Sequence, residues 1–493
     1  MALRPRRAPG RRRTARGGAR LVAVGAALYL GAGAIALSPA LAHADEQLLG
    51  YGSPRTGAVT PGDHLQTAYN LWLPGHELAN GGVPWHDPYS FQPEADERVN
   101  FAAWPFAVVF GPLHALLGTV GAWNAFLLLT YVGAGAFAAL WLRSLDVPDA
   151  AALVGGLAFA LAPYRSVQTA GGHLLGPVSM LLALALWAFE SKRSWLAVAA
   201  LASIPLSGQV HLALGAIPFF VLYAWLRRGL RSGIVAAAVS VACGIVVYAV
   251  GIHGTVGAGG RSFAQVERYS ADPVDFVSRH GRDGFESFVF LGWLLPVVAA
   301  AGLVVLFRRD QRLAAALAAG VVVPVVLALG SNTPLYEPLW RVVPGLGHTR
   351  VPERLLPIAC LCLAALAAFA VAELRWRHTA IAAAVLLALD LRVSAYRPLG
   401  ADEENPVYGA LAIAGPGRLL ERPLYLPDRQ AGSVYLYYAM QAPRERPLGY
   451  STTAPPAADR VARELRRGYP PAALGVRWVV RYRDGRPVSL TRP

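Results

Sequence analysis

The sequence predicts an all-α polytopic membrane protein of about eleven transmembrane helices, followed by a small C-terminal extracytoplasmic α/β domain. Three observations carry that reading. Of 493 residues, 55% are hydrophobic and only 15% charged, with mean hydropathy +0.40, whereas a soluble chain is charged at about a quarter of its positions. Apolar runs close to the roughly 20 residues needed to cross a bilayer recur along most of the chain. Beyond residue 396 they give way to short alternating segments and turn residues.

Charge and cysteine usage narrow the function classes. The net charge of +15 rests on arginine, Lys192 being the single lysine. The arginines gather at the ends of apolar runs, where they set orientation. They are not interleaved with exposed aromatics as a nucleic-acid surface would be, so no nucleic-acid partner is expected. Cys243, Cys360 and Cys362 all fall in apolar runs and read as small core residues, with neither a disulfide framework nor a zinc site.

Taken in order, residues 1–20 form a basic cytoplasmic arm and 21–42 the first apolar segment. Ala42-His43-Ala44 has the form of a signal-peptidase site, but the apolar core is longer than a signal h-region, which favours retention. Either way the polar loop 44–101 lies outside. Further crossings are expected at 122–142, 148–163, 174–190, 195–208, 211–226, 233–252, 288–307, 313–330, 354–374 and 379–395. Each interval between Arg143, Lys192-Arg193, Arg227-Arg228-Arg231, Arg308-Arg309-Arg312 and Arg375-Arg377 then holds a hairpin returning to the cytoplasm. The bend at 207–209 sits within the membrane, tolerable where it lines a protein-enclosed cavity. Segment 101–120, with Trp104-Pro105, Gly111-Pro112 and His114, is expected to be re-entrant or interfacial. The whole is a multi-pass plasma-membrane protein with residues 21–395 in the membrane domain and 396–493 outside.

The polar segments left outside are the candidates for chemistry. In loop 44–101, Pro61-Gly62 delivers Asp63 to the head of a helix over 64–79. A carboxylate there serves either as a capping box with Gln66 or as a general base taking the proton of an acceptor hydroxyl. Leu65, Tyr69 and Trp72 at helical spacing suggest that this helix lies in the interface. Trp85-His86-Asp87-Pro88-Tyr89 brings a second carboxylate, as metal ligand, substrate contact or plain Asp-Pro turn. Glu94, Asp96 and Glu97 read as solvated charges, and His211 as a packed polar residue. The outward cations are Arg165, His173, Arg261, Arg268, Arg341, His348, Arg350 and Arg354. An arginine fork binds phosphate oxygens bidentately, and Arg165 and Arg354 sit at helix ends where a lipid phosphate would lie. Any one of them also fits a headgroup-snorkelling role. No Walker loop or Rossmann fingerprint is present, so an activated substrate must arrive through the bilayer.

In the tail, Pro455-Pro456 ahead of 457–467, with Gly468 behind, predicts a helix. Residues 476–482 alternate as a strand, Arg483-Asp484-Gly485-Arg486 signals a hairpin, and 488–491 returns. Segments 424–426 and 434–438 are further strand candidates. This domain is placed to dock on the Asp63 loop, as acceptor groove or lid.

The order of short motifs resembles a known family. Gly62-Asp63, then Gly82-Val83-Pro84-Trp85-His86-Asp87-Pro88-Tyr89, Ala162-Pro163-Tyr164-Arg165 with Gly171-Gly172-His173, Glu286 ahead of Phe290-Leu291-Gly292, Arg350-Val351-Pro352-Glu353-Arg354, and Arg446-Pro447-Leu448-Gly449-Tyr450-Ser451 together resemble the YfhO-like branch of the polytopic GT-C-type glycosyltransferases. The likeness runs from Asp63 to Val480. It implies a GT-C-like membrane domain and inverting transfer of a sugar from a polyprenyl-phosphate carrier to an extracytoplasmic acceptor. Asp63 matches the first-loop Asp that acts as base or metal contact, which makes a divalent cation a candidate cofactor. Many members carry paired acids here, whereas His64 follows Asp63. The resulting site has Asp63 and Asp87 as catalytic carboxylates and His64, Arg165, His173, Glu286, Arg350 and Arg354 as substrate-binding residues. Membrane lipid and a lipid-linked sugar are the expected partners. A transporter or flippase of lipid-linked glycans, or a non-catalytic scaffold, are the competing classes. A transporter would carry charge near the bilayer midplane, where only Asp390 falls within an expected crossing.

Overall fold

The computed structural model describes residues 15–53, 58–94, 99–253, 255, 261–282, 284–374, 377–451 and 453–493. Most of the basic arm, together with Asp96, Glu97 and Arg375, lies outside them.

The membrane portion is mostly helical. α1 (Ala15–Leu37) leads through strand β1 (Leu48–Gly50) to α2 (Asp63–Ala79) and α3 (Ala107–Ser144). There follow α4 (Asp149–Ala160), α5 (Pro163–Ala170), α6 (Leu175–Glu190), α7 (Ser194–Leu206), α8 (Val210–Arg228) and α9 (Arg231–Val247). A polar stretch carrying α10 (Phe263–Tyr269) precedes α11 (Leu294–Arg309) and α12 (Gln311–Ala328). After the short α13 (Tyr336–Val342) come α14 (Leu356–Val371) and α15 (Arg377–Leu391).

Helices occupy all eleven expected segments, but fewer reach spanning length. Among the described residues five helical stretches are long and apolar enough to cross a membrane: Ala107–Ser144, Val210–Arg228, Arg231–Ile252, Gln311–Ala328 and Pro352–Val371. The pair α4 and α5, bent by 43°, makes a sixth if taken together. The apolar helices Val22–Leu37, Leu175–Glu190, Ser194–Leu206 and His378–Leu391 are shorter. Local chemistry shortens several of them: Pro163 starts a new helix after Ala162, and Gly208, at φ 77°, separates α7 from α8.

The 101–120 segment is not a free-standing re-entrant loop, since its second half is the first limb of α3. At 38 residues α3 would measure about 57 Å if straight, nearly twice a bilayer core, and it breaks at Gly118 (φ 68°, ψ −172°). Glu403 seals the break, its Oε1 accepting from the Val120 amide at 2.9 Å. Outward residues of the first limb are apolar and exposed, Leu116 at 81% and Val108 at 67%. α2 also departs from expectation: Leu65, Tyr69 and Trp72 are all buried, so its apolar face meets protein rather than an interface. α14, packed between α11 and α12, is buried along its whole length, and Cys360 and Cys362 are free thiols inside it.

After α15 the chain forms β2 (Arg397–Leu399), antiparallel to β1 with Leu48 opposite Leu399. A three-stranded sheet follows, in order β3 (Arg418–Arg422), β4 (Val476–Arg483), β5 (Arg486–Thr491), the first pair parallel and the second antiparallel. α16 (Pro406–Ile413), α17 (Ser433–Ala439) and α18 (Pro456–Arg466) complete it. The hairpin turns at Asp484 (φ 51°) and Gly485 (φ 80°), both left-handed as a two-residue turn of this type requires. Two expected strands are corrected. Residues 434–438 are the helix α17, buried on every side, which removes the one-sided exposure a surface strand would show. Segment 424–426 is irregular chain beyond the end of β3.

Candidate active site

Asp63 is the first residue of α2, and the capping box does not form: the side chain of Gln66 turns to the Tyr450 carbonyl at 3.0 Å instead. The carboxylate is therefore free for other partners, and three donors surround it. His173 Nε2 lies 3.2 Å from Oδ2, the Tyr450 hydroxyl donates to Oδ1 at 2.6 Å, and the Gln430 amide donates to Oδ1 at 3.3 Å. About a quarter of the side chain stays open, at 23% exposure.

His173 reaches Asp63 because Gly172 lets two backbones meet. Gly172 has φ 85°, and a Cβ there would collide with the backbone nitrogen of His64. The Thr67 hydroxyl fastens the contact by donating to the Gly172 carbonyl at 2.6 Å. On its other side the His173 ring packs edge-on against Phe285. Gln168 donates its amide to the Phe285 carbonyl at 3.2 Å, leaving its Oε1 to accept from His173 Nδ1 at 2.7 Å. Glu286 Oε1 stands 3.8 Å from His173 Nε2, and Arg354 Nη2 donates to both Glu286 oxygens at 3.3 and 3.4 Å. A continuous polar chain thus runs Asp63, His173, Glu286, Arg354. Arg350 stacks over Tyr269 within electrostatic reach of Glu286 and Tyr450, and Arg261 lies close to Arg350 and Arg354.

Electrostatics hold both acids ionised. Burial pushes the Asp63 carboxyl up, but the hydrogen bond and charge of His173, with the hydrogen bonds of Tyr450 and Gln430, outweigh it and hold the group well below the usual range. Burial likewise opposes ionisation of Glu286, and the charges of Arg354, His173 and Arg350 reverse it. The Tyr450 phenol is raised by burial and by Asp63 beside it, so it remains a donor.

Three expected site residues stand apart from this cluster. Arg165 is fully buried, its guanidinium donating to the Ala160 and Thr130 carbonyls at 3.0 and 2.5 Å and lying over Tyr131. It ties the start of α5 to the end of α4 and the middle of α3 and does not face a lipid phosphate. Asp87, 1% exposed, accepts from the Tyr69 hydroxyl and from the Tyr89 and Ser90 amides at 2.9, 3.1 and 3.2 Å. That is the turn role of an Asp-Pro, with no second catalytic acid. The His64 ring, 2% exposed, sits 6.4 Å from the Trp123 ring with Nε2 lacking a partner. Burial holds it at about 4, neutral and shut off from substrate.

Two participants were missed. Gln430 gave no signal at all, and Tyr450 stood in a noted motif without an assigned task. Both arrive from the tail, roughly 370 to 390 residues away in sequence, bonded to Asp63 itself. Among the described residues no group of three or more His, Cys, Asp or Glu side chains is arranged to hold a metal ion. With His173, Tyr450 and Gln430 donating to Asp63, the residues present do not fit a divalent cation there.

A cavity of about 1010 Å³ lies toward the other end of α2, lined by Trp72, His76, Trp85, Trp104, Val108 and His114 among others. Its lining holds no Asp, Glu, Lys or Arg and is mostly apolar, so the cavity suits an apolar group.

No protein-family model matches this chain, and no curated protein matches it. Among solved structures it is similar to the arabinofuranosyltransferase AftD from Mycobacteria, determined by single-particle cryo-EM, at 18% identity and a TM-score of 0.53. The match covers 94% of this chain and 36% of that one. The chain therefore spans about a third of that enzyme's length, and the likeness is one of fold.

Proposed function

We propose that this protein is a membrane glycosyltransferase of the GT-C type, moving a sugar from a polyprenyl-phosphate carrier to an acceptor hydroxyl outside the cytoplasm. One observation carries the reading: a single ionised, partly open carboxylate, Asp63, joined through His173 and Glu286 to Arg354. The fold shared with an arabinofuranosyltransferase and the motif order resembling GT-C enzymes support the same reaction class.

The chemistry follows from that arrangement. The acceptor hydroxyl gives its proton to Asp63 while its oxygen attacks the anomeric carbon. The bond from that carbon to the phosphate oxygen breaks, and its electron pair leaves with the polyprenyl phosphate. One displacement inverts the anomeric centre. Arg354 and Arg350 bind the departing phosphate, whose charge grows as the bond breaks. His173 fixes the Asp63 carboxylate, and Gln168 fixes His173. The apolar cavity takes the start of the prenyl chain. It reaches Leu206 on one side of the 207–209 turn, and His211 on the other side lies in the field of Arg354 and Arg350.

The transporter reading loses its support at Asp390. That carboxylate caps α11, accepting from the Trp293, Leu294 and Leu295 amides at 2.9 to 3.0 Å, and is thereby fixed as a structural tie. The decisive test is sugar transfer from a panel of radiolabelled polyprenyl-phosphate donors. Asp63→Asn keeps the shape of the carboxylate and removes the base, so expression in the membrane persists and transfer is lost. Transfer at the wild-type rate in that variant rules out Asp63 as base.

A further inference from the structure

We infer that Tyr450 is a latch on Asp63: its hydroxyl holds the place of the acceptor hydroxyl, keeps water from the base while that place is empty, and is displaced when acceptor binds. The inference rests on the glycosyltransferase reading and adds to it a reason why transfer prevails over hydrolysis.

The geometry supplies three supports. The first is the contact itself. The Tyr450 hydroxyl donates to Asp63 Oδ1 at 2.6 Å, the same interaction that an acceptor hydroxyl must make before giving up its proton. His173 bonds the other oxygen, Oδ2, so an acceptor that takes the place of the Tyr450 hydroxyl on Oδ1 leaves the His173 contact intact. Gln430 shares Oδ1 more weakly, at 3.3 Å.

The second support is how the latch is mounted. Tyr450 ends a segment laid along the first outer loop, where the Arg446 amide donates to the Tyr89 carbonyl and the Gln92 amide to the Arg446 carbonyl, each at 2.8 Å. Arg446 itself is fully buried, paired with the fully buried Glu421 at 2.6 Å and donating to the Tyr435 carbonyl at 2.8 Å. The Tyr450 carbonyl is held by Gln66 and the next amide, of Ser451, by the Pro427 carbonyl. The main chain is thus fixed on both sides, and only the phenol ring need swing aside.

The third support is chemical economy. A hydrogen bond from Tyr450 makes Asp63 a weaker base. Its departure frees Oδ1 and restores basicity in one movement, so the base strengthens when acceptor is present. Without the latch, water can take the same position. Its proton would pass to Asp63, its oxygen would bond to the anomeric carbon, and the carbon–oxygen bond to phosphate would break with its electron pair leaving on the polyprenyl phosphate. The products would be free sugar and polyprenyl phosphate.

The test needs no acceptor. The full-length protein in nanodiscs is given polyprenyl phosphate carrying a radiolabelled pentose or hexose, arabinofuranose among them, and water-soluble sugar is counted. Tyr450→Phe keeps the ring and removes the hydroxyl. Its release is expected to exceed wild type by about tenfold, the worth of one hydrogen bond to a charged group, and Gln430→Ala combined with it to exceed that again. A gain of this kind cannot come from misfolding. Asp63→Asn combined with Tyr450→Phe is expected to release none. If Tyr450→Phe releases sugar no faster than wild type while Asp63→Asn abolishes the basal release of the wild type, the latch is overturned and the base stands. If the double variant keeps the elevated release, Asp63 is not the base and the glycosyltransferase assignment of this site falls with it.

Discussion

At the scale of single residues, polar side chains in this protein divide by how many backbone groups they satisfy. Among the described residues the Asp63 carboxylate takes its hydrogen bonds from side chains, which can exchange, whereas Asp87 takes two of its bonds from amides. The sequence shows both as outer-loop acids and cannot show this difference, because saturation is a property of the folded neighbourhood. Arg165 was misread for the same reason, since its carbonyl partners carry no sequence signature. Two pH windows follow. His64 is held at about 4 against an ordinary 6.5, so the unfolded chain takes up that proton first. Stability then declines as pH falls between those values, by up to roughly 1.4 kcal/mol per pH unit. His64→Gln is expected to flatten the fall of Tm between pH 6.5 and 4 relative to wild type; a parallel Tm curve argues against it. Asp63 has a depressed folded value, so its contribution is present above the ordinary carboxylate range and is lost only as pH drops through its own lower value.

At the scale of elements, the glycine between α5 and α6 decides whether the site exists. Gly172 brings the turn carrying His173 against the first turn of α2, in a backbone conformation that other residues adopt only at a cost. Gly172→Ala is expected to cost roughly 3 kcal/mol or more and to abolish transfer, read as a lower melting temperature in detergent and loss of product. An unchanged Tm would mean that the close approach is not needed. The Gly171-Gly172-His173 motif was visible in the sequence, and so were the heads of α2 and α18, where Gly and Pro punctuate the chain. α17 was not, because a run of tyrosines with Val and Leu has strand propensity, and burial on all sides overrides it. The break at Gly118 was also hidden, since hydropathy does not reveal it, whereas the bend at 207–209 was read from the sequence.

For the molecule as a whole, the polar segments between helices converge. Residues from the head of α2, the α5–α6 turn, the stretch before α11, the head of α14 and the tail all meet around Asp63. The order of motifs along the chain was legible as a set because each is polar between apolar runs; the pairing of Gln430 and Tyr450 with Asp63 was not, because no local pattern encodes a contact over hundreds of residues. If this vestibule lies outside the cell with the tail, single cysteines at the exposed Ser53, Ser262 and Thr491 all label with an impermeant maleimide in intact cells. Protection of all three places the vestibule on the cytoplasmic side.

The pairing of Leu48–Gly50 with Arg397–Leu399 has a consequence for biogenesis. The strand that anchors the segment between α1 and α2 waits for a partner made nearly 350 residues later, and the two tail residues that complete the Asp63 pocket follow later still. While the ribosome is still feeding helices into the bilayer, the nascent chain holds an acid with no finished pocket around it. The pocket around Asp63 is therefore finished only at the end of synthesis, and no nascent chain that stops short of Tyr450 carries it complete.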